Sequence, residues 1–281
     1  MLATRSIKTT SKAWAIDTAI SMVDLTTLEG ADTPGKVQAL CSKAFRPDPT
    51  DISVPQVGAV CVYNDMVAIA RQHLDVIGAK DLPVAAVSTA FPSGRASMAV
   101  KLQDTEDAIA AGAAEIDMVI DRGAFLSGKY IEVFEEIAAI RQVCGERAHL
   151  KVILETGELV TYDNVRKASY LAMLAGADFI KTSTGKVTPA ATPPVVLVML
   201  EAVRDFYDLT KVRIGVKPAG GIRTTKDAIK QLVLVNETAG PEWLNPSLFR
   251  IGASALLNDL LLQRMKISDG YYASPNYVTI D

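Results

Sequence analysis

Histidine and cysteine are scarce in this 281-residue chain: two histidines, His73 and His149, and three cysteines, Cys41, Cys61 and Cys144. None sits in a C-x-x-C or H-E-x-x-H spacing, so the sequence offers no zinc ligand set, and no metal or other cofactor is expected. An odd number of widely separated cysteines also fails to make a disulfide framework; these read as reduced, packed thiols of a cytosolic protein. No apolar run reaches the roughly 18 residues of a membrane span. Basic residues do not exceed acidic ones, 29 against 32 with a net charge of -3, so there is no basic field for nonspecific nucleic-acid binding. The opening segment carries Arg5, Lys8 and Lys12 with no acid before Asp17, but lacks the arginine-rich amphipathic face of a targeting peptide. Residues 1–20 therefore read as a capping segment below the main body, and the expected location is the cytoplasm.

What the chain does have is a regular alternation. Apolar residues make up 49% and charged residues 22%, enough for a substantial core. From Ile20 onward, short apolar runs alternate with helical stretches, the βαβ rhythm of a parallel sheet. Eight runs read as strands: Met22–Thr26, Val57–Tyr63, Val84–Thr89, Glu115–Ile120, Leu150–Glu155, Ala177–Thr182, Arg213–Lys217 and Phe249–Gly252. Eight strands in about 250 residues is the count of a TIM (β/α)8 barrel. The expected architecture is a single α/β barrel domain over residues 1–281, with the cap at 1–20 and a tail at 265–281. Between strands, Tyr130–Val143 places Ile131, Phe134, Ile137 and Ala138 on one helical face. Gly112, Gly145, Gly176 and Gly240 follow helical stretches as stops. Thr33 with Pro34, and Thr192 with Pro193, mark helix starts. The proline-rich loop Arg46–Pro55 is the one irregular insertion.

In such a barrel the chemistry sits at the C-terminal ends of the strands. Those ends carry Asp24 with Thr26, Cys61, Asp117, Glu155, Lys181, Lys217 and Ser254. Lys181 closes the apolar run Ala177–Ile180, and Lys217 closes Arg213–Val216. One such lysine is an ordinary side chain reaching from a strand end into solvent. Two on neighbouring strands are another matter, since in one cavity each ammonium opposes the charging of the other. A neutral, desolvated amine is the nucleophile of Schiff-base chemistry, and Lys181 is the candidate. Asp117 lies between Ile116 and Met118, an acid in an apolar strand that needs a partner. It reads equally as a proton shuttle with Lys181 or Lys217 and as an ion pair that only positions one of them; Asp24 has the same two readings.

Small-residue turns follow three successive strands: Gly185 with Lys186, Gly220 with Gly221, and Gly252 with Ala253 and Ser254. Ser183 to Lys186 do not form a P-loop, since the upstream glycine is missing. Three glycine turns after strands six to eight nevertheless suit a phosphate, whose oxygens glycine amides can approach closely.

Taken together, Phe-Ile-Lys-Thr-Ser-Thr-Gly-Lys (179–186), Val-Lys-Pro-Ala-Gly-Gly-Ile-Arg (216–223), Asp-Leu-Thr-Thr-Leu (24–28), Glu-Thr-Gly-Glu-Leu (155–159) and Ile-Gly-Ala-Ser (251–254) resemble the deoxyribose-phosphate aldolase family, in the family's order from Asp24 to Leu262. The resemblance implies a metal-free class I aldolase that reversibly cleaves 2-deoxy-D-ribose 5-phosphate to D-glyceraldehyde 3-phosphate and acetaldehyde, in deoxyribonucleotide catabolism. It implies Lys181 as the Schiff-base lysine, Lys217 as the lysine that holds down its pKa, and Asp117 as the acid of proton transfer. Asp24, Thr26, Cys61 and Thr182 would line the substrate pocket. Gly185, Lys186, Gly220, Gly221, Gly252 and Ser254 would hold the phosphate. The chain departs from the pattern at Ser93, where many relatives carry histidine, and at Ala255, where a second serine is common. Some relatives use a C-terminal tyrosine; whether Tyr271, Tyr272 or Tyr277 matches it is open. The expected partners are a sugar phosphate and a second copy in a homodimer, with no nucleic acid or membrane. The alternatives are another Schiff-base lyase of phosphorylated sugars on the same barrel, or a catalytically silent sugar-phosphate binder.

Overall fold

All eight apolar runs form parallel strands, in the order they occur in the chain. A computed structural model describes residues 9–271, 273 and 274. Its strands are β1 (Val23–Thr26), β2 (Ala59–Val62), β3 (Val84–Ser88), β4 (Glu115–Val119), β5 (His149–Ile153), β6 (Phe179–Lys181), β7 (Gly215–Lys217) and β8 (Ile251–Ala253). Each pairs with its sequence neighbour, and β8 pairs with β1. Parallel bridges from Val216 to Phe249 and from Ala219 to Gly252 close the ring between β7 and β8. The expected strand bounds shift by at most two residues at either end.

The outer layer holds α1 (Thr9–Ser21), α2 (Pro34–Phe45), α3 (Val67–Val76), α4 (Met98–Ala110), α5 (Arg122–Leu126), α6 (Tyr130–Cys144), α7 (Tyr162–Leu174), α8 (Pro193–Thr210), α9 (Thr225–Thr238) and α10 (Leu256–Asp269). Outward residues of the strands, such as Val60, Val84, Ile116, Val152 and Ile180, join helix residues such as Leu74, Ile140 and Leu200 in one buried apolar layer. Burial of this kind, about 25 cal/mol per Å² of apolar surface, is what holds the barrel together. In α6 the buried stripe is Val133, Ile137, Ile140 and Cys144, at spacings of four, three and four. This corrects the expected face: Ile131 is exposed, and Glu136 is turned inward against Lys101, 2.9 Å away. The Thr33 hydroxyl accepts from the Lys36 amide at 3.3 Å as expected, whereas Thr192 makes no side-chain cap and leaves the start of α8 to the fixed φ of Pro193.

Two expectations at the chain ends change. The described part of the N-terminal segment is α1, which packs along α9 and α10 through Ala15, Ile16, Ala19 and Ile20 rather than across the bottom of the barrel. The bottom mouth instead opens as a cavity of about 790 Å³ lined by residues such as Gly58, Glu115, His149, Asp178, Arg213 and Arg250. At the other end, residues 265–269 are not tail but the last turn of α10. Ile267 packs on the core there, and Gly270, in the left-handed region at φ +83°, ends the helix. Tyr271 is exposed; Tyr272 and Tyr277 lie outside the described residues.

Candidate active site

The strand register sets which side chains share the barrel interior. Asp117 pairs with Lys151 across β4 and β5, and Lys181 pairs with Lys217 across β6 and β7. Paired Cα positions in neighbouring strands project to the same side, so all four enter one interior. Gly252 makes room for one of them: a Cβ there would stand 3.2 Å from Lys217 Cε and 2.9 Å from the Ala219 Cβ.

The result is a buried ladder of charge. Asp117 Oδ2 accepts from both Lys181 Nζ and Lys217 Nζ, each at 2.7 Å, and Asp117 Oδ1 accepts from Lys151 Nζ at 3.0 Å. Lys217 Nζ also lies 2.5 Å from Asp24 Oδ2. Lys151 pairs with Glu115, and Arg250 spans Asp24 Oδ1 at 2.7 Å and Glu115 Oε1 at 2.9 Å. Four basic side chains thus face three acids, all nearly removed from solvent.

This arrangement splits the lysines. Burial drives the Lys181 amine below its ordinary pKa; Asp117 opposes the fall, and the neighbouring Lys217 cation adds to it. Burial acts on Lys217 too, but Asp117 and Asp24 outweigh it and hold Lys217 well above the ordinary range. Lys151 is raised in the same way, by Asp117 and Glu115 against its burial. Burial likewise disfavours the Asp117 carboxylate, yet Lys151, Lys181 and Lys217 keep it well below the usual carboxylate range. One amine of the set is therefore biased toward its neutral form, and it is Lys181.

Lys181 is also the member of this ladder that lines a cleft of about 460 Å³ at the C-terminal face. The expected phosphate residues Gly185, Lys186, Gly220, Gly221, Gly252 and Ser254 all line the same cleft, as does Thr26. Gly185, Gly220 and Gly221 all have φ between +82° and +86°, so their turns need glycine. Ala255 precedes α10 without a side-chain cap and lines the cleft together with Ser254 and Asn258, so the start of that helix lies at the cleft.

Three expected substrate contacts are not in the cleft wall. Asp24 is fully buried below Lys217, paired with Arg250. Cys61 is buried, with its sulfur 4.0 Å from Asp117 Oδ2, and burial pushes its thiol pKa up. Thr182 points away from Lys181; its hydroxyl accepts from the Ala219 amide at 2.9 Å and donates to the Ala219 carbonyl at 3.2 Å, tying β6 to the end of β7.

The sequence reading missed Lys151, Glu115 and Arg250. The signal was available at Lys151, which stands between Leu150 and Val152 just as Asp117 stands between Ile116 and Met118. It also missed Lys36 and Arg223, which bring cationic groups to the cleft, and the structural part played by Glu155. Glu155, held at φ +52°, accepts from the Thr184 hydroxyl and amide and so fixes the loop that carries Gly185 and Lys186. Among the described residues, no three His, Cys, Asp or Glu side chains are grouped as a metal site.

The chain is similar to known proteins in sequence and in fold. A family model described as DeoC/LacD family aldolase matches residues 18–261. The chain is 47% identical to the deoxyribose-phosphate aldolase of Homo sapiens over 270 residues, covering 93% of this chain and 84% of the human one. It is also 47% identical to the Mus musculus enzyme of the same name over 280 residues, covering 97% and 87%. Among solved structures, the tetrameric deoxyribose phosphate aldolase of Aeropyrum pernix superposes with a TM-score of 0.69 at 25% identity, covering 91% of this chain and 97% of the other. A chain from Toxoplasma gondii ME49 reaches a TM-score of 0.80 at 22% identity, covering 96% and 100%, a likeness of fold.

Proposed function

Because the chain belongs to the DeoC/LacD aldolase family, we propose that it is a class I aldolase that reversibly cleaves 2-deoxy-D-ribose 5-phosphate to D-glyceraldehyde 3-phosphate and acetaldehyde. The observation that carries the reading is the buried Lys181 amine, its pKa lowered, lining a cleft walled by glycine turns.

Lys181 Nζ attacks the C1 aldehyde of the open-chain sugar to give a carbinolamine. Loss of water then leaves an iminium, with Lys217, held protonated beside the same Asp117 oxygen, as the proton source. Cleavage falls between C2 and C3, because acetaldehyde carries C1 and C2. The C3 hydroxyl gives up its proton as glyceraldehyde 3-phosphate departs, and the electron pair of the broken bond moves into the iminium to form an enamine. Protonation at C2 and addition of water release acetaldehyde and restore the amine. Asp117 is placed to pass these protons, since its Oδ2 touches both lysines. Gly185, Lys186, Gly220, Gly221, Gly252 and Ser254, with Lys36 and Arg223, would hold the phosphate and so orient the reacting carbons.

Deoxyribonucleotide catabolism in the cytoplasm is the setting this reading supports; the three cysteines are free and buried, and no described helix is long and apolar enough to cross a membrane. Assembly as a homodimer is part of the proposal, and sedimentation of the purified protein checks it. The activity is tested by acetaldehyde release from deoxyribose 5-phosphate, with fructose 1,6-bisphosphate as the competing substrate. Release from the first and not the second is expected; the reverse would assign the barrel to another Schiff-base aldolase. Binding with no release from either would make it a silent binder.

A further inference from the structure

The ladder inside the barrel continues past the groups that touch substrate. Arg250 and Glu115 lie at the opposite mouth, where both line the bottom cavity, and neither reaches the catalytic cleft. Yet each is bonded into the set that holds Lys181. Arg250 grips Asp24, which contacts Lys217, which shares Asp117 Oδ2 with Lys181. Glu115 holds Arg250 and Lys151, and Lys151 holds the other Asp117 oxygen.

We infer that Arg250 and Glu115 are positioning residues that set the protonation state of Lys181 by charge balance from the far end of the barrel. With Lys151, Lys217 and Arg250 charged, Asp24, Glu115 and Asp117 are already matched one for one, so a proton on Lys181 would leave an unmatched cation at the edge of a buried, low-dielectric interior. Lys181, the fourth basic group, stays neutral because Arg250 supplies the third cation. The groups around Lys181 are consistent with this count. Asp117 from β4, Lys217 from β7 and the thiol of Cys61 from β2 act on it directly; Asp24 from β1, Glu115 from β4, Lys151 from β5 and Arg250 just before β8 act through those groups, while β3 contributes Ala85 and Val87. Lys36, Lys186, Glu29 and Arg223 lie around the cleft, and His149 with Asp178 lie beyond Glu115 at the bottom.

This rests on the Schiff-base reading, and its test separates the two. The wild-type protein is assayed first for deoxyribose 5-phosphate cleavage; absence of cleavage defeats the functional reading itself. Given cleavage, the acid limb of the kcat/KM pH profile is followed in four variants. R250M removes a cation and leaves three bases against three acids, so Lys181 keeps its proton; the acid limb moves up by about one pH unit, a loss of about tenfold at pH 7 that is recovered at higher pH. R250K retains the charge and the wild-type profile. E115Q removes an acid and moves the limb the opposite way, to lower pH. R250M/E115Q restores the balance and returns the limb to its wild-type position. A purely structural role would lower activity at every pH without opposite shifts. Unchanged profiles, or shifts of the same sign in R250M and E115Q, overturn the inference. Should R250M not fold, E115Q decides alone: a downward shift supports charge balance, and an unmoved or raised limb refutes it.

Discussion

On the outer face of β4 stand Ile116 and Met118, packed among aliphatic side chains; on its inner face stand Glu115 and Asp117, bonded to Lys151, Lys181, Lys217 and Arg250. The same alternation recurs on β5, where Leu150 and Val152 face the helices and Lys151 faces inward. The outer layer is a hydrophobic core of the ordinary kind, and its stabilisation grows with the apolar area it removes from water. The inner layer has charge where barrels commonly place branched aliphatics. Buried ion pairs contribute little net stability against apolar replacements, so the interior's composition is explained by chemistry rather than by folding. The comparison therefore separates two kinds of substitution: inward changes should act on the chemistry, with stability following the charge balance they leave, and outward changes should lower stability and spare the chemistry.

The largest effect is expected at Lys181. K181A removes the nucleophile, and turnover falls to below about one part in 10⁴ of wild type. The same change leaves three cations matched to three acids, so the thermal midpoint holds or rises; a scanning melt alongside the activity assay checks both halves. Next comes Asp117, whose two oxygens touch three amines. D117N costs about 10²–10⁴-fold in kcat if Asp117 passes protons, and stability falls as well because three buried amines lose their common acid. Near-normal kcat with reduced stability would make Asp117 a positioning ion pair only.

K217L is smaller and depends on pH. The free amine of Lys181 is the reactive form, so activity rises with pH as its proton leaves. The Lys217 cation helps keep that proton off, and without it the acid limb moves to higher pH. A loss of about 10²-fold at neutral pH, partly recovered under alkaline conditions, is expected from the rate profile. The smallest effect on catalysis is expected in the outer layer. L200A opens a cavity beneath α8 and lowers stability by about 2–5 kcal/mol in denaturant titrations, with kcat/KM unchanged below the melting range. An outward substitution that abolished chemistry in a folded protein would break the comparison.

Much of this was legible in the chain itself. The eight strands could be counted because each is a short apolar run after a helical stretch, and Lys181 and Lys217 stood out because each ends such a run. Gly185 after β6 and Gly220 and Gly221 after β7, all at positive φ, with Gly252 in β8, marked one wall of the cleft, since the C-terminal ends of neighbouring strands of a barrel meet in space. Depth along the barrel axis was not legible. Alternation says that Asp24 points inward, but each residue also moves about 3.3 Å along the strand, and Asp24 falls below the lysines rather than beside the sugar. Thr182 failed for the complementary reason: as the neighbour of an inward lysine it must point outward, where the Ala219 backbone takes its hydroxyl. Arg250 was missed because its partners Asp24 and Glu115 are 226 and 135 residues away in sequence, and only closure of the barrel brings them together. In α6, periodicity located the helix but not its rotation: Ile131, on the expected stripe, is exposed, and Glu136, outside it, is buried against Lys101.

The most direct test of a neutral Lys181 amine as the nucleophile is to reduce the enzyme with borohydride in the presence of deoxyribose 5-phosphate and map the modified residue by peptide mass spectrometry. The adduct is predicted on Lys181, with more of it formed as the pH of the reaction is raised from acid to neutral. An adduct on Lys217 or Lys151, or cleavage of the sugar with no adduct at any lysine, would contradict the account.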